Sequence, residues 1–214
     1  MRNKFVIFSV LLMFVTINQL DSQITKNLFI CANIGKADIW GDVGSTKYTF
    51  NEPGLNAEIN LIKRLDIGLN VGVGYQFDYI QNDDKNSLNT FRGYILTTYI
   101  HEAEIVFNYN ILRLFFDNNF PLRISIGGIT SYYISKNQIN KPLQTRYDRF
   151  KSSDNGIIIY PNISVSYDIK SFQFGLNSRL GYSNSDYLEG FSTDFSKMND
   201  RVFIISFLIG YKIN

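Results

Sequence analysis

From Ile67 to Tyr79 the chain alternates without a break. Ile67, Leu69, Val71, Val73, Tyr75, Phe77 and Tyr79 are apolar or aromatic, while Gly68, Asn70, Gly72, Gly74, Gln76 and Asp78 between them are small or polar. A period of two sustained this long describes a β-strand with one apolar face and one polar face. Strands of water-soluble proteins usually run about five or six residues, whereas a strand tilted across a bilayer needs about nine to eleven. The stretch therefore predicts a membrane-spanning β-barrel.

The pattern recurs along the chain. It is found over residues 28–35, 55–62, 102–109, 122–132, 157–168, 172–182 and 203–213, which with the first stretch makes eight strands. The connections alternate as well. Long polar segments cover roughly residues 37–51, 80–92, 135–155 and 183–200, and shorter turns fall at Lys63-Arg64, Asn110–Phe120 and Lys170. Long outer loops, short periplasmic turns and an even strand count are the plan of an all-β, eight-stranded, antiparallel up-and-down transmembrane β-barrel. Aromatics strengthen this reading. Tyr75, Phe77, Tyr79, Tyr132, Tyr182 and Phe203 lie toward the long loops, and Phe107, Tyr109, Tyr167, Phe172, Phe174 and Tyr211 lie toward the short turns. That makes two girdles with aliphatic residues between them. Alternation alone would also fit a soluble lipocalin-like barrel with its apolar face inward. The near absence of charge on the apolar face of every strand favours lipid.

The first residues read as an export signal. Arg2 and Lys4 precede an apolar core, Phe5 to Ile17, too short to span a membrane as a helix, and Asn18 to Ser22 form a polar tail ending in a small residue. Cleavage after Ser22 is expected, giving residues 1–22 as signal peptide and 23–214 as one barrel domain; Leu20 is larger than the ideal residue at its place, and a retained anchor is the alternative. Cleavage removes two basic residues and one acidic residue from the 21 and 19 present, leaving a net charge of +1. That near-neutral balance argues against a nucleic-acid partner. Cys31 is the only cysteine, so no internal disulfide exists, and Ile30 before it is too large for lipid attachment. It is expected inside the first strand or at its wall.

An eight-stranded barrel has an interior just wide enough for side chains to fill. Inward positions supply Glu58, Glu102 and Glu104 against Arg123, Arg179 and Lys212. Unpaired charges in a narrow lumen are costly, so a structural ion-pair network is expected there. Glu104 and Arg123 fall on neighbouring strands in the periplasmic half and are the expected pair; a proton or ion path is the alternative. The only histidine, His101, points to lipid by parity, near the outer interface.

Four stretches together resemble the Bacteroidota outer-membrane β-barrel family called PorT-like: Gly54-Leu55-Asn56-Ala57, Glu104-Ile105, Pro121 to Ile124 continuing through Gly127-Gly128 to Tyr132, and Asn199 to Phe203 continuing to Gly210-Tyr211-Lys212. The resemblance covers nearly the whole mature chain. Val106 stands where the family usually has proline, and the chain ends Ile213-Asn214 rather than on an aromatic. The resemblance implies a small outer-membrane barrel, and its eponymous member is associated with protein secretion.

The expected function is non-enzymatic: a membrane anchor with a filled lumen and surface loops for binding or shielding. The segment 135–155 carries Lys136, Lys141, Arg146, Arg149 and Lys151 against Asp148 and Asp154, while 183–200 carries Asp186, Glu189, Asp194 and Asp200 against Lys197. The two loops can pair with each other, or the basic one can contact lipopolysaccharide phosphates. Expected partners are outer-membrane lipids and, during biogenesis, the barrel-assembly machinery. A secretion or gliding accessory is one alternative. A barrel-wall acyltransferase or protease is another, weakened because a serine nucleophile wants a base within hydrogen-bond reach and His101 points away. No metal or other cofactor is expected, since one His and one Cys do not make a ligand set.

Overall fold

A computed structural model describes residues 27–40, 54–83, 94–117, 120–141, 148–188, 190–193 and 200–213. The expected signal peptide lies outside the described residues, as does Arg146. Among the described residues ten strands run β1 (Leu28–Trp40), β2 (Gly54–Arg64), β3 (Leu69–Asp83), β4 (Ile95–Asn110), β5 (Leu122–Ile139), β6 (Asp148–Phe150), β7 (Ser153–Ile169), β8 (Phe172–Ser183), β9 (Phe191–Thr193) and β10 (Arg201–Ile213). Eight of them close a barrel in the order β1-β10-β8-β7-β5-β4-β3-β2, every pair antiparallel. Closure gives each of these eight strands a hydrogen-bonded neighbour on both sides, as a bilayer requires of a sheet.

The side chains are sorted opposite to those of a water-soluble protein. Outward residues include Ile34, Ile59, Val73, Ile105, Ile163 and Phe207, all exposed. Buried ones include Glu58, Glu102, Glu104, Asp78 and Arg179. A continuous apolar outer wall around a charged centre is stable only where the surroundings are themselves apolar. The barrel therefore spans a membrane. The lumen is not polar throughout. Toward the outer end Ile39, Ile80, Ile100, Ile158, Val202 and Ile204 point inward and form one apolar cluster with Leu188, which descends from the segment after β8.

The strands overrun the expected loops. β1 continues to Trp40, β3 to Asp83 and β5 to Ile139, so the bases of the segments at 37–51, 80–92 and 135–155 are barrel wall rather than loop. β3 starts later than the alternation suggests. Ile67 and Gly68 belong to a tight turn in which the Gly68 N–H donates to Leu65 O (3.0 Å) and the Leu65 N–H to Leu69 O (2.8 Å). Gly68 has φ +92°, a conformation a side chain disfavours, and this turns the chain before Leu69.

The two long outer segments after β5 and β8 meet above the barrel. β6 and β9 pair antiparallel, with Phe150 opposite Phe191. The Lys151 N–H donates to Gly190 O (2.8 Å). Phe191, Tyr94 and Leu96 bury each other, with Ile139 and Phe150 packed against them. A backbone ladder and an apolar cluster thus join the two loops.

Candidate functional site

The centre of the lumen is organised by Arg179. Its strand, β8, stands diametrically opposite β3 in the ring, with β2 and β4 beside β3. From β8 its guanidinium crosses the whole lumen. Nη1 donates to Gln76 Oε1 (2.9 Å) and Glu104 Oε1 (2.9 Å), and Nη2 donates to Glu58 Oε2. Arg179 and both carboxylates are essentially without solvent contact. The planar fork of arginine suits two carboxylates at once, as an ammonium would not.

Neighbouring polar groups hold the carboxylates in place. Asn33 Nδ2 donates to Glu58 Oε2 (2.8 Å), and Asn60 Nδ2 donates to Glu58 Oε1. Glu102 accepts from Tyr160 Oη (2.7 Å), from Gln76 Nε2 (2.9 Å) and from Ser131 Oγ. Gln76 Nε2 also donates to Asp78 Oδ2 (2.6 Å), whose Oδ1 accepts from Asn56 Nδ2 (2.8 Å). Residues of β1, β2, β3, β4, β5, β7 and β8 therefore share one hydrogen-bonded layer.

A second brace closes the periplasmic mouth. Arg64 at the end of β2 reaches Asp168 on β7, again on the opposite side of the ring, through Nη1 to Oδ2 (2.8 Å) and Nη2 to Oδ1 (3.2 Å). Arg123 Nε donates to the same carboxylate at 2.7 Å. The Arg64 guanidinium also lies 3.6 Å from the centre of the Phe29 ring, a cation–π contact. Between the two braces is a cavity of about 60 Å³ lined by Cys31, Asn60, Asn162, Ser166 and Gln173 among others. Cys31 faces it, its thiol directed at Gln173 Oε1 at 3.9 Å.

These braces regroup the expected network. Glu58, Glu104 and Arg179 come together, with Glu102 linked to Arg179 through Gln76. Glu104 and Arg123 do not pair. Glu104 stands opposite Ser131 of β5, about 26 Å along that strand from Arg123 at roughly 3.3 Å per residue. Lys212 sits half-exposed at the periplasmic mouth, where it lines a cavity with Arg64, Arg123 and Asp168, and is no part of the Arg179 layer. Three charged participants have no role assigned from the sequence. Arg64 reads as a turn residue, yet its inward parity continues Glu58, Asn60 and Ile62. Asp168 and Asp78 carry the inward parity of their strands in the same way.

The basic residues of the outer surface are spread around the cap. Lys136 points outward from the top of β5 beside Tyr99, and Arg149 is exposed on β6. Lys141 Nζ lies 5.6 Å from the centre of the Tyr94 ring, and Lys151 Nζ lies 4.1 Å from that of Tyr187. Lys151 also approaches Asp154 Oδ1 at 3.5 Å within its own segment. His101 is on the outward face, its Nδ1 2.6 Å from the Tyr75 hydroxyl and its ring centre 5.2 Å from that of Phe77.

A single-chain closed β-barrel with an apolar exterior, aromatic rims and a filled lumen is the architecture of a small outer-membrane protein, and the outer membrane is where this chain resides. No protein-family model and no curated protein sequence matches it. Among solved structures it is similar to neisserial surface protein A (15% identical, TM-score 0.46, covering 87% of this chain and 97% of that one). It is similar to a major outer membrane protein from Thermus thermophilus (9% identical, TM-score 0.48, covering 86% and 98%). A third similar structure is Ail, the attachment invasion locus protein of Yersinia pestis, in complex with the heparin analogue sucrose octasulfate (12% identical, TM-score 0.44, covering 86% and 96%).

Proposed function

We propose that the chain is a sealed, non-enzymatic anchor of the outer membrane, and that its outer cap binds or shields at the cell surface. The observation that carries this reading is Arg179, which joins opposite walls of the lumen at mid-height. An apolar cluster lies above it and the Arg64–Asp168 brace below. The space between the braces has room for a few waters only. Purified protein in planar bilayers is expected to show no stepwise conductance. Sustained, voltage-independent openings would overturn the sealed reading.

The non-enzymatic reading is supported by the position of His101, which lies on the lipid side, hydrogen-bonded to Tyr75 and separated by the wall from the lumenal carboxylates. Lipid-hydrolysis and acyl-transfer assays on the purified barrel test it. The cap is a platform carrying cations of which Lys136, Arg149 and Lys151 are exposed. Lipopolysaccharide phosphates are its proposed contact, since fixed cations attract anionic head groups. Exchanging Lys136, Lys141, Arg146, Arg149 and Lys151 for Gln should leave the barrel folded and weaken lipopolysaccharide binding; unchanged binding removes the idea. The four sequence stretches named above support affiliation with the PorT-like family. An accessory role in secretion or gliding rests on that resemblance and is tested by co-purification from the native membrane.

A further inference from the structure

The β4–β5 connection is far longer than the other two periplasmic turns, and among its described residues those at 114–117 and Phe120 are exposed. Ile111–Leu114 form one turn of 3-10 helix directly below β4. Asn110 Oδ1 accepts from the Leu112 N–H and from the Ile124 N–H, both at 3.3 Å, fastening the turn to the foot of β5. Arg113 ties it to the β2–β3 turn: Nε donates to Asp66 O (3.2 Å) and Nη1 to Phe116 O (3.1 Å).

What these ties hold out is apolar. Phe115 is 75% exposed, Leu114 67% and Ile67 of the neighbouring turn 68%, with Phe116 and Phe120 stacked beside them, ring centres 4.3 Å apart. Hydrogen-bonded turns that hold large apolar side chains away from the protein leave them to the surroundings, which in water is unfavourable. The patch is continuous with the lipid-facing wall. Ile67, Leu114, Phe115 and Phe116 border a cleft of about 540 Å³ together with Tyr109, and Tyr109 lies below the outward, exposed Phe107 on β4. Asp66, Arg113 and Asp117 supply the charged lining of the same cleft.

We propose that this turn is an interfacial foot: Ile67, Leu114, Phe115 and Phe116 insert into the glycerol and upper acyl region of the periplasmic leaflet, with a phospholipid seated in the cleft against Tyr109. It sets the depth and tilt of the β3–β5 side of the barrel, as amphipathic segments do when they lie in the interface.

The chain has one tryptophan, Trp40, so a Trp40→Phe background gives a dark barrel for fluorescence. Phe115→Trp and Leu114→Trp report on the foot, and Phe107→Trp reports on the barrel wall. Each is placed in nanodiscs of phosphatidylethanolamine and phosphatidylglycerol, with and without phospholipid brominated high on its acyl chains, and titrated with iodide. The foot tryptophans are expected to be quenched by the brominated lipid and to respond to iodide at least about threefold less than free tryptophan. If Phe107→Trp is quenched by brominated lipid while both foot tryptophans answer only to iodide, the foot stands in water and the inference fails with the barrel reading intact. Foot tryptophans that respond to neither quencher pack against protein, which also overturns it. If Phe107→Trp escapes brominated lipid, the membrane orientation itself fails, and the foot with it.

Discussion

Removing Arg179 tests the lumenal layer where it is most concentrated. Arg179→Met keeps much of the side-chain volume but withdraws the cation shared by Glu58 and Glu104, both without solvent contact. Deleting one partner of a buried pair costs about 3–5 kcal/mol, because the remaining charge is left without compensation. Here two carboxylates lose the same partner, so the upper part of that range applies. With a urea dependence of about 2 kcal/mol per molar, the unfolding midpoint should fall by roughly 2 M. The assay is urea unfolding in phosphatidylcholine vesicles, read by the shift in gel mobility between folded and unfolded barrel. The companion variant separates charge from packing. Arg179→Met combined with Glu58→Gln and Glu104→Gln removes the ions together, and neutral replacements of buried ion clusters commonly come within about 1 kcal/mol of the original or better. A single variant with an unchanged midpoint, or a triple variant no better than the single one, would refute the reasoning.

The periplasmic brace should matter less. Asp168 accepts from Arg64 and Arg123 but keeps 20% of its surface, so Asp168→Asn should cost about 1–2 kcal/mol by the same unfolding assay, in keeping with partly screened charged hydrogen bonds. The seam that closes the barrel is sensitive to one methyl group. A Cβ on Gly35 would lie 2.1 Å from Ile205 O on β10, so Gly35→Val should slow insertion and lower stability by about 1–3 kcal/mol, measured by folding into vesicles over time. In the outer cap Phe191 is fully buried. Phe191→Ala should undo the cap, costing it about 3 kcal/mol and exposing β6 and β9 to protease on whole cells. The barrel itself should remain intact on heat-modifiable gels. Cleavage at the native rate would show that the β6–β9 platform does not depend on this cluster.

The wall is legible in the sequence because a period of two translates directly into two faces. The alternation through Val71, Val73 and Tyr75 places β3, and the parity of Glu58, Glu102, Glu104 and Arg179 places all four in the lumen. Level and partner are not legible. Parity says that Glu104 and Arg123 both point inward; only the register, which sets Glu104 against Ser131, separates them by most of the wall height. Arg179 reaches Glu58 and Glu104 across the diameter, a contact set by barrel closure rather than by adjacency in the chain. Arg64 escapes a sequence reading because it stands at a strand end, where a turn boundary misplaced by two residues turns a lumenal side chain into a loop residue, whereas Asp168 falls within the expected strand 157–168 and only its partners are illegible. The outer platform is out of reach for another reason. β6 and β9 are three-residue strands, too short to show a period, and they pair across a wide sequence interval.

In this fold the apolar face of the wall meets acyl chains. Nitroxide labels at Val73, Ile105 and Ile205, introduced as single cysteines in a Cys31→Ser background and reconstituted in bilayers, address this most directly. Relaxation by oxygen, which concentrates in lipid, should be strong at all three, and relaxation by a water-soluble nickel chelate weak, while a label at Arg149 shows the reverse. Labels at Val73, Ile105 and Ile205 that are shielded from both agents, or that respond to the chelate, would place the apolar face inside the protein or in water and contradict it.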